Sequence, residues 1–186
     1  MNESSDNLLR RRSRESWFSR FQIVGLVVLT LLAIIVKVYL PRIIPSTNWL
    51  ELPLLLVVYF GLVHPNQIAA LLFGTFVGLC EDSLAPAMLH PIGMFGITKT
   101  LVGYFAASVS MRFNVENALI RLVLCFFFFV FHAFIYWLMR RALLGQIVPF
   151  DAQEILIYGG LNALVALPLF LLLDKMKLSG SRSVMI

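Results

Sequence analysis

The 186-residue chain is 60% hydrophobic and only 13% charged, with a mean hydropathy of +0.87, whereas soluble domains carry charge on about a quarter of their residues. That composition excludes an ordinary soluble domain and predicts an integral membrane protein, with length for one bundle of short-looped spans and none to spare for a soluble catalytic domain. The net charge of +5 is concentrated near the start, at Arg10, Arg11, Arg12, Arg14 and Arg20. An apolar run follows directly, so the cluster reads as a positive-inside flank and not as a nucleic-acid patch.

Residues 1–16 are polar and basic without apolar periodicity, which predicts a disordered cytoplasmic N-terminus before one transmembrane domain over 17–177 and a short cytoplasmic tail over 178–186. Trp17 and Phe18 are expected as interfacial anchors. Phe21 to Leu40 is apolar and long enough at 1.5 Å per residue to cross a ~30 Å hydrocarbon core. A signal peptide would have a shorter core and a small-residue cleavage site, so this run is expected to stay as a span. Lys37, near its outer end, is expected to snorkel to the interface.

A proline-containing connector with Trp49 leads to two short apolar segments, Leu52 to Val63 and Ile68 to Leu79, separated by the turn signal His64-Pro65-Asn66-Gln67. Each is either a short helix in thinned lipid or one arm of a re-entrant hairpin. An acidic connector holding Glu81 and Asp82 leads to a span over Pro91 to Val109. Spans over Ile120 to Met139 and Ile155 to Leu173 follow; Pro149 and Asp151 are placed to open the last, and Asp174, Lys175 and Lys177 to close it.

The fold class is therefore all-α, a polytopic transmembrane helical bundle of six membrane segments. Six segments put both termini on one side. With that side cytoplasmic, the inner stretches collect the arginine cluster, Arg112, Arg121, Lys175, Lys177 and Arg182. The outer ones hold Arg42, Arg140 and Arg141 together with Glu51, Glu81, Asp82, Asp151 and Glu154. Arg140 and Arg141 are the local exception.

Ala70, Gly74 and Gly78 recur every four residues and share one helix face; Gly96, Thr100, Gly103 and Ala107 make a second. Lipid gives little hydrophobic drive for helix association, so small faces that let backbones approach are candidates for helix packing or partner binding. Lys99 lies about two turns inside its span. It is either paired with Glu81 or Asp82, fixing a cavity mouth or a partner-binding face, or it snorkels outward. His132, at depth, is expected to make a structural hydrogen bond, with proton transfer or metal binding as the other reading. His64 and His90 read as interfacial turn residues.

The chain lacks a GxSxG elbow, an HExxH pair, a phosphate loop before GK[ST], and paired carboxylates within the membrane, so no enzyme activity, cofactor or metal is expected. Cys80 and Cys125 are far apart, with no His or Cys clustered near them, and form no metal motif.

The order of segments carries further information. A basic start and one long span precede LELPLLLVVYFGL, then GTFVGLCEDSLAP, then HPIGMFGITKTLVGYFAA. Together these resemble the rod shape-determining MreD family, in which an apolar run is entered through a proline, as at Pro53. A glycine-containing segment ending in an acidic residue follows, matched by Gly74, Gly78 and Asp82. A glycine–hydrophobic pattern then leads into a small-residue helix, matched by Gly93, Gly96, Lys99, Gly103 and Tyr104. The resemblance covers the number and length of spans across nearly the whole chain, and its informative part is about Leu52 to Ala107. One departure is Ser83 to Met88, where family members often carry a short serine-glycine turn.

What the resemblance implies is a non-enzymatic inner-membrane scaffold of the bacterial elongation machinery that builds lateral peptidoglycan. It would bind the periplasmic scaffold MreC and work with the actin-like MreB filament and a glycosyltransferase and transpeptidase pair. The implied fold resembles the substrate-binding subunit of energy-coupling-factor transporters. The alternative function is such a vitamin-binding subunit, which needs an enclosed polar cavity; the deep polar residues are few, namely Thr30, Thr75, Thr98, Lys99, Thr100, His132 and Asn162.

Overall fold

The computed structural model describes residues 20–64, 66–84, 93–113, 115 and 117–182, with side chains described between 24 and 175. Among them the chain is all-helical: α1 (Arg20–Ile43), a 3-10 turn (Pro45–Thr47), α2 (Leu52–Val63), α3 (Gln67–Leu84), α4 (Met94–Ser110), α5 (Ala118–Ala142) and α6 (Ala152–Arg182). Five stretches are long and apolar enough to cross a membrane: 24–43, 45–63, which joins the 3-10 turn to α2, 67–84, 118–142 and 152–175. The chain is a multi-pass membrane protein. The expected N-terminal segment 1–16, the anchors Trp17 and Phe18, and His90 lie outside the described residues.

Helix α2 occupies the centre. Leu54, Leu55, Leu56, Val57, Val58, Tyr59 and Leu62 are all buried, so every face of the helix meets protein, and it packs against each of the other five helices. A helix that is apolar all round is a buried helix. Its 12 residues were too few for a comfortable lipid-facing span, and the difficulty disappears when its neighbours, not lipid, surround it. Pro53 sits in the first turn, where its missing N–H breaks no helical bond.

The other helix starts are set by short polar side chains. Asn66 accepts from the backbone N–H groups of Ile68 and Ala69, Asn117 from that of Leu119, and Asp151 from that of Glu154. Helix α4 is different. Its N-cap, Gly93, has a φ of 103°, in the left-handed region that suits glycine, and no capping side chain of its own. The cap comes from α3, as described below.

The helix bounds correct three expectations. Glu81 and Asp82 are not in a connector: α3 continues through them to Leu84, giving 18 residues instead of the short segment ending at Leu79. Second, Asp174, Lys175 and Lys177 do not close the last helix: α6 runs on to Arg182, through the first five positions of the 178–186 tail. Third, Lys37 does not snorkel outward but turns into the bundle.

Helices α3 and α4 form the most intimate antiparallel pair. A Cβ added at Gly74 would lie 2.8 Å from the Lys99 carbonyl carbon, and one at Gly78 would lie 2.6 Å from the Gly96 Cα. At Gly103 it would meet the Ala70 carbonyl carbon at 3.0 Å. These are backbone atoms that cannot rotate away, so the two small-residue faces are in contact along three successive turns. The hydroxyls of Thr75 and Thr100 meet across the same seam at 2.7 Å. Gly61 of α2 extends the pattern: a Cβ there would meet Ala106 Cβ at 2.7 Å, which brings the central helix onto the other side of α4.

Candidate functional site

At the end of the bundle where α1 and α3 finish and α4 begins, four charged side chains from four parts of the chain converge. Lys37 of α1 pairs with Glu51 Oε2 at 2.5 Å and also with Glu81 Oε1 of α3. Lys99 of α4 pairs with Glu81 Oε2 at 2.8 Å and lies 4.0 Å from Glu51 Oε2. Lys99 is 0% exposed and Glu81 2%. Two cations and two anions balance, which is the condition under which buried charge is tolerable.

Three further groups hold this arrangement. The Phe95 ring lies under both ammonium groups, each Nζ 4.6 Å from its centroid, and so offers a π-face to the charge it helps to bury. Tyr136 stacks on Phe95 at 5.1 Å with an interplanar angle of 9°, and His132 is nearly parallel to it at 6.3 Å. Asn162 of α6 fixes the approach to α2: its Oδ1 accepts from the Glu51 backbone N–H at 2.9 Å, while its Nδ2 donates to the Trp49 and Tyr158 carbonyls. Glu51 therefore has its backbone held by α6 while its carboxylate faces Lys37.

Asp82, one residue beyond Glu81, does something else. Its carboxylate accepts from the backbone N–H groups of Gly93 (3.0 Å), Phe95 (3.2 Å) and Gly96 (2.9 Å), so it caps α4 from the neighbouring helix. Adjacent carboxylates thus divide the work: Glu81 takes the lysines and Asp82 the helix N-terminus. A 100° step between successive helical residues makes this division geometrically natural.

The structure places the sequence-derived residues as follows. Gly74, Gly78 and Gly103 are in the α3–α4 seam. Gly96 faces the Leu79 and Asp82 side chains, where an added Cβ would meet Leu79 Cδ2 at 3.1 Å. Tyr104 is 38% exposed, with its ring against Phe105, and lies on the outward surface of α4. Lys99 meets Glu81 and not Asp82. His132 is buried, and its Nε2 has no hydrogen-bond partner among the described residues. His64 lies against Phe60, ring centroids 5.2 Å apart. Sequence reasoning did not include Lys37, Glu51, Phe95, Asn162 or Gly61 in the site. Asn162 stood out as a polar residue at depth, but its partners lie more than 100 positions away and no local pattern points to them.

The deep hydroxyls are occupied within their own helices or across the α3–α4 seam. Thr30 and Thr98 donate to the carbonyl four residues earlier; of Thr75 and Thr100, whose hydroxyls are 2.7 Å apart, one donates to the other and the acceptor donates to its own carbonyl four residues earlier. At the opposite end of the bundle Asp174 of α6 accepts from the Tyr59 hydroxyl at 2.9 Å and pairs with Arg121 of α5 at 2.5 Å, tying the central helix to two others. Among the described residues no three His, Cys, Asp or Glu side chains are grouped to hold a metal ion. Comparison with protein-family models, curated proteins and solved structures finds no match to this chain.

Proposed function

We propose that this chain is a non-enzymatic scaffold subunit in a bacterial inner membrane, serving the machinery that elongates the lateral wall and binding an MreC-like periplasmic scaffold. The observation that carries this reading is how the interior polar groups are used. The two lysines and two glutamates neutralise one another, Asp82 caps a helix, Asn162 ties down a loop, and the deep threonines bond helix carbonyls or one another. Groups committed in this way hold helices in position; a vitamin-binding subunit needs them turned toward a cavity.

The reading includes six crossings with both termini in the cytoplasm. Helix α4, at 17 residues, is the sixth, and its antiparallel packing along α3 supports a full crossing. The charge distribution supports the orientation. Labelling single cysteines in intact cells, in a background lacking Cys80 and Cys125, tests it: an impermeant reagent reaching residue 3 or 183 overturns the orientation. For the function, the protein is purified in gentle detergent from a rod-shaped host and probed for the MreC-like scaffold, and the chromosomal copy is deleted. Recovery of that scaffold and rounded cells are expected. Normal rods, together with a stoichiometric vitamin in the isolated protein, would overturn the proposal in favour of a transport subunit.

A further inference from the structure

The arginine pair that breaks the charge asymmetry, Arg140 and Arg141, stands at the end of α5, and an open apolar groove lies further down the same helix, its α5 wall at Phe126 and Leu122 about 21 and 27 Å along the axis from Arg140. The groove, of about 420 Å³, runs between α5 and α6 and is lined by Leu122, Phe126, Leu156, Ile157, Gly160 and Leu164, among others. Nothing lies within 4 Å of the position a Cβ would take at Gly160, so the groove floor is open there. Arg140 is 18 residues beyond Leu122, which is five turns of an α-helix, and so stands on the same face of α5 as the groove wall.

We infer that this face binds an anionic phospholipid, with its phosphate at Arg140 and Arg141 and one acyl chain in the α5–α6 groove. Charge complementarity selects that occupant. Among the described residues neither arginine pairs with a carboxylate: Arg140 Nε donates to Gln146 Oε1 at 2.8 Å, and its guanidinium lies 6.0 Å from the Tyr136 ring centroid, while that of Arg141 lies 5.6 Å from that of Trp137. Of the acidic residues nearby, Asp151 is engaged on its own helix, capping α6.

The setting is that of a membrane interface. Trp137 donates its indole N–H to the Val148 carbonyl, and the loop after α5 exposes Leu143, Ile147 (97% exposed) and Phe150. Groove residues Leu156 and Leu164 lie five and thirteen positions beyond Asp151, about 7 and 19 Å along the helix axis, the depth an acyl chain reaches below a headgroup at the loop.

The test uses the full chain in detergent, loaded with phosphatidylglycerol or phosphatidylcholine and read by native mass spectrometry. Retention of one phosphatidylglycerol over phosphatidylcholine is expected, falling about fivefold with Arg140→Gln and further with Arg141→Gln added. Gly160→Leu, which projects into the groove from a Cβ position with no atom within 4 Å, is expected to lower retention while leaving the thermal transition in place. If the arginine variants fail to fold, the Gly160→Leu result decides. Equal retention of the two lipids, unchanged retention in Gly160→Leu, or full competition by inorganic phosphate would each overturn the inference.

Discussion

The buried charge balance makes a prediction that can be worked from distances. Glu81 is the anion shared by Lys37 and Lys99, so Glu81→Gln leaves two cations and only Glu51 to meet them. At 2.8 Å and an effective dielectric constant of about 20, the Lys99–Glu81 attraction is about 6 kcal/mol before the cost of burial is counted. Removing one partner of a buried pair typically costs about 3–5 kcal/mol, because an uncompensated charge is left behind. Lys99→Met is expected to cost less than Glu81→Gln, since Glu81 then keeps Lys37 and the excess anion, Glu51, is the more exposed one. The double variant restores one cation and one anion, Lys37 with Glu51. It should therefore be more stable than the sum of the single penalties predicts, by about 1–3 kcal/mol. Unfolding by sodium dodecyl sulfate in mixed micelles, followed by tryptophan fluorescence, gives the three free energies. Penalties that add to within about 0.5 kcal/mol would refute the idea that these charges act as one group.

Three other outcomes follow from the packing. Leucine at Gly74 or Gly78 should leave membrane insertion intact but abolish the cooperative thermal transition, because its Cβ overlaps the α4 backbone; at Gly25, where no atom lies within 4 Å, the same change should have little effect. Asp82→Ala should cost about 0.5–2 kcal/mol and raise hydrogen exchange selectively at the amides of Gly93, Phe95 and Gly96; uniform exchange along α4 would contradict the capping role. A maleimide in mild detergent should modify half-buried Cys80 and spare buried Cys125 until the bundle unfolds, read by mass of the labelled peptides.

What could be read from the sequence depended on how local the signal was. The α3–α4 seam was legible because Ala70, Gly74 and Gly78 on α3, and Gly96, Thr100, Gly103 and Ala107 on α4, recur at helical spacing, and such a period needs no knowledge of the partner. Lys99 was legible as a costly residue for the same reason: depth within an apolar run is a one-dimensional property. Which carboxylate it meets was not legible. Glu81 and Asp82 are adjacent, and only the rotation of α3 about its axis sends one to the lysines and the other to the α4 N-terminus. Lys37 reads as a snorkelling end residue when α1 is considered alone. It turns inward because Glu51 and Glu81 are brought to it from other segments. The central place of α2 was hidden by its lack of periodicity: twelve apolar residues look the same whether they cross thin lipid or fill a bundle axis.

The two kinds of cohesion in the bundle fall on different helices, and that division bears on how a scaffold subunit would keep one shape. Small-residue contact joins α3 to α4 and α4 to α2, where backbones touch and dispersion is greatest. Helix α1 has no such seam. Nothing lies near the position of a Cβ at Gly25; Leu26, Thr30, Ala33 and Ile34 are buried on one face while Val24, Val28, Leu32, Ile35 and Tyr39 face outward, so side-chain burial and not backbone contact sets its rotation along most of its length. Lys37 adds specificity to that face, since a buried ammonium with two carboxylates to satisfy has few acceptable positions. The inward-turned lysine extends the buried face of Leu26, Thr30, Ala33 and Ile34 to the end of the helix and adds a polar contact to the rotation they select. The same carboxylates receive Lys99, so the rotation of α1 and the register of the α3–α4 pair are set at a single point. A partner that docks on α1 would meet a surface whose presentation depends on that point, and charge variants within the cluster would reach it without touching the partner directly.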